Sequence, residues 1–279
     1  MHLGRRRLFT EFLKSRRARL SPHDIGLHDP GVRRTKGLRR SEVAQLSGVS
    51  TEWYTLFEMG RDRALTDRML RTVSHTLQLN SAEEEYLGDL MRCEKASRFG
   101  AQMHPSLEFA VRNIEDVAFC IYDPWLTQVT NNRVSANLLL IDDDPDPLSH
   151  NLLWRLYARP TMRALLGADW KEHARRHVGL FRRNLARDPM NATAHEVINR
   201  LTGIPEFDEA WQSQDVYSLR MYNEDSISAP YRIFHPDLGA LNVHLYAKPI
   251  WLWPGGHMVW LTPADSTTVA AFQELKTAA

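Results

Sequence analysis

The chain has 279 residues, of which 43% are hydrophobic and 25% are charged, and its formal net charge is +1. This length leaves room for two domains, and the composition is typical of a soluble globular protein. No apolar run approaches the ~20 residues that a membrane span requires. The basic N-terminus lacks the pattern of a secretory signal, and two cysteines are too few for a disulfide framework, so we expect a cytoplasmic protein.

The small net charge hides an uneven distribution. Residues 1–95 contain 18 Lys and Arg and 13 Asp and Glu, which gives +5, whereas the rest of the chain carries −4. A positive region attracts the phosphates of DNA regardless of base sequence. A solvated basic helix face would carry the same charge, so the charge alone leaves both interpretations open.

Five helices are predicted over the first 95 residues. Segments 3–19, 66–79 and 81–93 have apolar residues at helical spacing, and a pair of shorter helices lies at 41–60. Segment 21–40 is rich in proline and glycine, and it is predicted to be a long loop between the first two helices.

The helix pair at 40–61 (RSEVAQLSGVSTEWYTLFEMGR) is the most informative stretch of the chain. Ser41 and Ser50 can cap the two helices, and Gly48 suits the turn because glycine adopts the left-handed conformation without a Cβ clash. This layout is typical of a DNA-reading helix-turn-helix, with an ordinary helical hairpin as the alternative. The side chains predicted to point inward are Trp53, Leu56 and Phe57.

The second helix of this pair is predicted to enter the major groove of DNA. Polar residues left on its outer side are the types that contact base edges, and these are Thr51, Glu52, Tyr54 and Thr55. The candidates for phosphate contacts are Arg39, Arg40, Ser41, Ser50 and Arg61. One such module reads only a few base pairs, so we expect a homodimer on a palindromic site.

The motifs of this region resemble a known family. The segment GLRRSEVAQLSGVSTEWYTLFEMGRD at 37–62 is similar to the lambda-repressor-like (XRE-class) helix-turn-helix of MmyB-like regulators. In that family a Leu-Arg-Arg-x-Glu-Val-Ala run precedes a Trp-Tyr-Thr recognition helix, as residues 38–44 and 53–55 do here. The resemblance implies a transcription regulator that binds double-stranded DNA through residues 1–95.

A second domain is predicted at 106–279, after the helical periodicity weakens at 96–105. The pattern predicts a helix at 106–114, strands at 118–122 and 126–130, helices at 132–140, 148–157, 170–186, 192–201 and 207–214, strands at 216–222, 231–235, 241–246 and 258–262, and a helix at 267–275. This order indicates an α+β domain with an antiparallel sheet.

Several motifs in this half also resemble the MmyB-like family. They are YDP at 122–124, NN at 131–132, FDEAW at 207–211 and HPDLG at 235–239. The resemblance implies a PAS-like domain with an apolar interior that binds a small apolar ligand, for which fatty acids are one class. The candidate ligand contacts are Trp211, Met221, His235, Leu245 and Trp253. For any single tryptophan, filling the core is the favoured interpretation over lining a pocket.

Catalytic and metal sites are not expected. His173 and His177 have a spacing that could bind a metal, but the glutamate of a His-Glu-x-x-His motif is missing, and Arg175 and Arg176 lie between them. No nucleophile elbow, phosphate loop or Cys-x-x-Cys motif is present, so the chain is predicted to be no enzyme. A second domain that serves only dimerisation or partner recruitment, without a ligand, remains an alternative.

Overall fold

Among the described residues, the first part of the chain contains helices and no strands, and the second part contains a sheet with helices. The computed structural model describes residues 3–26, 37–61, 66–91, 103–142, 144–251 and 253–277. By its internal contacts the chain divides into two units, residues 1–95 and 96–279. Residues 27–36 of the loop predicted at 21–40 and residues 96–102 of the boundary predicted at 96–105 lie outside the described residues.

The described part of the first unit contains five α-helices. They are α1 Leu3–Arg19, α2 Arg40–Leu46, α3 Thr51–Glu58, α4 Asp67–Thr76 and α5 Ser81–Met91. The Ser50 and Thr66 side chains cap α3 and α4 by accepting the amides of Trp53 and Met69. The core forms where α1 meets the other helices: Phe9 packs edge-on against Phe57, and Phe12 against Tyr86.

A five-stranded antiparallel sheet forms the centre of the second unit. Its strands are β1 Ala118–Tyr122, β2 Gln128–Asn131, β3 Tyr231–His235, β4 Gly239–Pro249 and β5 His257–Pro263, in the order β2-β1-β5-β4-β3. Because Val259 pairs with both Cys120 and Ala247, these three side chains lie on one face of the sheet. The predicted α+β class with an antiparallel sheet is confirmed.

Nine α-helices accompany the sheet in the described residues. They are α6 Pro105–Arg112, α7 Arg133–Leu138, α8 Leu152–Ala158, α9 Pro160–Leu166, α10 Trp170–Arg187, α11 Ala192–Leu201, α12 Pro205–Gln212, α13 Leu219–Ser228 and α14 Ser266–Thr277. None of the helices in the described ranges has both the length and the apolar character needed to cross a membrane.

The strand predicted at 216–222 is wrong, because α13 begins there. Ser218 caps this helix by accepting the amide of Met221. The alternation of Tyr217, Leu219 and Met221 suggested a strand, but Leu219 and Tyr222 also have the i, i+3 spacing of one helix face. Once the cap starts the helix, these two side chains point the same way, toward the sheet.

Candidate functional site

A glycine turn joins α2 to α3. Gly48 has a φ of 64°, in the left-handed region, and no atom lies within 4 Å of the position that a Cβ would take. The requirement for glycine is therefore conformational rather than steric. The amide of Val49 donates to the carbonyl of Ala44 at 3.0 Å, and buried Ala44 lets the two helices approach closely.

The N-terminal turn of α3 presents polar side chains outward. Thr51 and Glu52 are exposed, and so is Ser50, whose hydroxyl accepts the Trp53 amide at 3.0 Å. Thr55 is half-buried, and its hydroxyl donates to the Thr51 carbonyl at 2.7 Å. The first turn, rather than the middle of the helix, therefore offers the freest hydrogen-bonding groups.

The buried side of α3 differs from the predicted one. Tyr54, expected on the outer side, is fully buried, whereas Leu56, expected inside, is 38% exposed. The buried stripe runs through Tyr54, Phe57 and Glu58, at i, i+3 and i+4, and Trp53 is half-buried against Phe57. The helix turns this way because Glu58 finds charged partners inside the unit.

Glu58 holds the first three helices together through two arginines. Its carboxylate is completely buried and lies 2.6 Å from Arg17 Nε of α1 and 2.5 Å from Arg40 Nε of α2. Arg40, predicted to contact phosphate, thus has a structural partner, although its side chain is still 35% exposed. Arg39, Ser41 and Arg61 are exposed.

In the second unit, a largely apolar cavity lies between one face of the sheet and the helices. Its volume is about 800 Å³ when the part open to solvent is included. The side chains come from β1, β3, β4 and β5 and from α8, α9, α10 and α13, together with Leu139. The lining residues are Cys120, Tyr122, Leu139, Leu152, Leu156, Met162, Leu166, His173, His177, Leu180, Leu219, Tyr222, Tyr231, Ile233, Leu245, Ala247, His257, Val259 and Leu261.

The polar atoms of this lining belong mainly to histidines and tyrosines. The Tyr222 hydroxyl lies 2.7 Å from His177 Nδ1, which also lies 2.7 Å from the His173 carbonyl. The His173 and Tyr231 rings are in contact, with centroids 4.9 Å apart. Burial lowers the pKa of His177 to about 3 and of His257 to about 4, and it raises the pKa of Tyr222.

A buried arginine, Arg155, lies behind the part of the cavity lining formed by Cys120 and Tyr122. Arg155 donates to the carbonyls of Leu139 and Leu140, and burial lowers its pKa. Burial also raises the pKa of Tyr122 and brings that of the Cys120 thiol to about 11. The thiol is therefore protonated and weakly nucleophilic at neutral pH.

The structure brings one of the five predicted ligand contacts to the cavity. Leu245 of β4 lines it, and the other four lie elsewhere. Trp211 stacks on Phe207 and packs against the Arg182 guanidinium. Met221 is half-buried on α13, turned away from the side that carries Leu219 and Tyr222.

His235 and Trp253 contribute to the structure outside the cavity. His235 Nδ1 accepts the amides of Asp237 and Leu238 at 3.3 Å, which stabilises the turn between β3 and β4. Trp253 packs in a small core with Val111 and Ile121, and Ile121 lies on the opposite face of the sheet from Cys120. Both side chains therefore support the fold around the cavity.

The role of the two histidines of α10 was not predicted from the sequence. His173 and His177 were considered only as a possible metal pair. Together with Leu180 they have i, i+4 and i+7 spacing, which places all three on one inner face of the helix. That spacing was the signal that could have identified them as cavity residues. No group of three potential metal-ligating side chains occurs among the described residues.

Comparison with known proteins agrees with this architecture. A family model described as "MmyB-like transcription regulator ligand binding domain" matches residues 103–275, which include the whole sheet and the cavity. No curated protein sequence is significantly similar to the chain. The match covers more than half of the 279 residues. The chain therefore belongs to the family of MmyB-like transcription regulators defined by this ligand-binding domain.

Proposed function

We propose that this protein is a sequence-specific DNA-binding transcription regulator whose second unit binds a small apolar ligand such as a fatty acid. The observation that carries the ligand half is the apolar cavity, which lies inside the matched ligand-binding domain. A mostly apolar pocket with a few polar groups is the usual form of a small-molecule site. The proposal assigns no catalytic role to the chain.

The DNA-binding half rests on the geometry of α2 and α3. These helices are joined by a glycine turn, and the capped first turn of α3 exposes Thr51 and Glu52. The unit carries a net charge of +5, and Arg39 and Arg61 are exposed near the two ends of the helix pair. In this proposal α3 enters the major groove, and two copies of the chain read a palindrome.

Two substitutions separate base reading from phosphate binding. A preferred duplex is first selected from random sequence and compared with a shuffled duplex. Thr51→Ala should weaken binding to the preferred duplex by ~1–3 kcal/mol and leave the shuffled duplex nearly unchanged. Arg39→Ala should weaken both duplexes alike and reduce the slope of log K against log salt by about 1.

The test changes Arg39 rather than Arg40 because Arg40 also forms an ion pair with buried Glu58. Thr72→Ala, on α4, provides a matched control for the loss of a threonine. Equal losses on both duplexes for Thr51→Ala and Arg39→Ala would contradict the assigned division of roles.

Native mass spectrometry of the purified chain tests the ligand and the homodimer together. The native mass, compared with the denatured mass, reports the number of subunits and any retained small molecule. A mass of two chains plus a few hundred daltons supports both proposals. A monomer both free and on DNA would contradict the homodimer.

A second unit that serves only assembly is the alternative function, and one observation favours it. On the sheet face opposite the cavity, Trp260 stacks between Phe119 and Tyr246, with centroids 5.9 Å away on each side, and all three are only half-buried. Such a face could contact another protein. Failure of any apolar molecule to bind the cavity would favour this alternative.

A further inference from the structure

We propose that a polar groove in the second unit, separate from the apolar cavity, binds a small organic cation with primary ammonium groups, such as an aliphatic diamine. The groove and the cavity have no lining residue in common. The inference goes beyond the proposed function, because neither DNA binding nor the binding of an apolar ligand requires this groove.

Three helices of the second unit form the groove. Its volume is about 840 Å³ when the part open to solvent is included. Tyr157 lines it from α8, Trp170 from the start of α10, and Glu206 and Glu209 from α12. Because these side chains stand on helices rather than on loops, their positions relative to one another are fixed before a ligand binds.

The Tyr157 hydroxyl lacks a protein partner although its residue is buried. Tyr157 is 2% exposed and lines the groove, yet its hydroxyl forms no hydrogen bond with any described residue. Burial raises the pKa of Tyr157, and the charge of the nearby Glu206 carboxylate raises it further, so the hydroxyl is neutral. Buried polar groups are normally hydrogen-bonded, so a molecule in the groove must supply the missing partner.

The lining of the groove carries an excess of negative charge. It contains four carboxylates and two cations, which gives a net charge of −2, and these residues are Asp169, Glu172, Glu206, Glu209, Lys171 and Arg175. Arg175 is already engaged, because it lies 2.9 Å from Glu172 and 2.8 Å from Asp215. The groove therefore attracts cations.

Two of the carboxylates stand on one face of α12. Glu206 and Glu209 are three residues apart, and like charges at about this spacing destabilise a helix. Arg163 approaches Glu206 only to 3.9 Å, and the Glu209 carboxylate forms no ion pair with a described residue. An ammonium group beside these two carboxylates would relieve their repulsion.

Hydrogen bonds, rather than stacking on Trp170, select the kind of cation. The Arg163 guanidinium already lies over the Trp170 ring, 4.3 Å from its centroid, and Lys171 Nζ lies 6.0 Å from the same centroid. A primary ammonium has three N–H donors for the Tyr157 hydroxyl and the glutamates, whereas a quaternary ammonium has none. The net charge of the lining matches the two ammonium groups of a diamine.

The test compares diaminopentane with tetramethylammonium on the full chain by isothermal titration calorimetry, at neutral pH and low salt. Diaminopentane should bind at least about tenfold more tightly, because it alone can donate hydrogen bonds to the Tyr157 hydroxyl and the carboxylates. Added salt should weaken its binding, because part of the attraction comes from exposed charges.

Three variants locate the binding site. Tyr157→Phe should weaken diaminopentane binding about tenfold, within the usual range for a lost hydrogen bond to a charged group. It should leave the urea midpoint of unfolding nearly unchanged, because the hydroxyl has no partner among the described residues. Glu209→Gln should weaken binding about threefold, since an exposed carboxylate contributes less. Glu196→Gln, at an exposed site on α11, is the matched control and should leave the affinity unchanged.

The results decide this inference independently of the proposed function. Equal affinity for the two cations, or equal losses from Glu209→Gln and Glu196→Gln, would show attraction by general surface charge and overturn the site. No detectable binding of diaminopentane would overturn it as well. Binding that Tyr157→Phe leaves unchanged would place the cation outside the groove. None of these results bears on the helix pair of the first unit or on the apolar cavity.

Discussion

At the scale of single residues, Glu58 stabilises the first unit through a buried ion cluster. Glu58→Ala leaves Arg17 and Arg40 without their shared carboxylate, and Arg17 is itself mostly buried. Breaking a buried pair by removing one partner is strongly destabilising, so we expect a loss of about 3–5 kcal/mol in the free energy of unfolding. Urea unfolding followed by circular dichroism measures it.

Glu84→Ala removes an exposed carboxylate from α5 of the same unit and serves as the control. A surface substitution of this kind should change stability by no more than about 0.5 kcal/mol. Similar small effects from both variants would show that the Glu58 cluster contributes little.

The buried histidines make the second unit sensitive to acid. The pKa values of His177 and His257, about 3 and about 4, lie below the ordinary value of 6.5. Between pH 6.5 and 4 the unfolded chain therefore binds more protons, and stability falls as the pH falls. Asp123 opposes this, because burial raises its pKa to about 6 and the folded chain gains its proton first.

Two histidines outweigh one aspartate, so we expect a net loss on the order of 1 kcal/mol per pH unit between pH 6 and pH 4.5. Urea midpoints measured across this range test it. His257→Gln should flatten the dependence, whereas His150→Gln, at an exposed site, should leave it unchanged. A stability that rises toward pH 4.5 would contradict the assignment of neutral buried histidines.

Single residues of the cavity were hard to predict from sequence. Leu245 was predicted because its strand alternates cleanly, and β4 keeps that alternation. Trp211 and Trp253 were chosen for size, but large rings fill cores as readily as pockets. His173 and His177 were judged as ligands of a metal, whereas their positions on α10 relative to the sheet decide their role.

At the scale of elements, the turn before α3 depends on one backbone conformation. Gly48→Ala forces a Cβ into the left-handed region, at a cost of about 1–2 kcal/mol. Gly48→Asn should cost less, because asparagine tolerates this conformation better. Thermal unfolding of the two variants compares them, and equal losses would show that side-chain size rather than φ sets the requirement.

Helices and strands were predicted well where the residue pattern fitted only one kind of secondary structure. The predicted 3–19 helix coincides with α1 Leu3–Arg19, and its apolar residues Leu8, Phe9, Phe12 and Leu13, which have helical spacing, are all buried. The 216–222 segment fits both a strand and a helix, and the Ser218 cap selects the helix. Short α9 was not predicted, and Pro160 occupies its first turn, where proline is tolerated because the amide there needs no helical partner.

At the scale of the whole molecule, ligand and DNA should influence each other. Binding free energies are reciprocal, so a ligand that changes DNA affinity must have its own affinity changed by the same factor. We expect saturating decanoic acid, a simple fatty acid, to change the affinity for the preferred duplex by about fivefold or more. Titrating DNA with and without decanoic acid, and decanoic acid with and without DNA, measures both factors.

Leu245→Trp is the control for this coupling, because a larger side chain in the cavity lining should fill the cavity, remove the effect of decanoic acid and leave DNA binding in place. Unchanged DNA affinity at saturating ligand would show that the second unit binds its ligand without regulating the first.

The α+β class was predictable from the order of helices and strands. A homodimer interface could not be predicted from the helix periodicity, because a helix face that contacts a second copy of the chain has the same pattern as any other half-buried face.

Chemical labelling of the buried Cys120 thiol would report opening of the cavity. Reaction of a thiol requires both the thiolate and access for the reagent, and a pKa of about 11 with complete burial limits both. The chain has two cysteines, so a variant that lacks Cys93 would retain Cys120 alone. In such a variant the labelling rate would report how readily the cavity opens, and a molecule bound in the cavity would lower that rate by the factor by which it stabilises the closed form, which grows with the ligand concentration relative to its Kd.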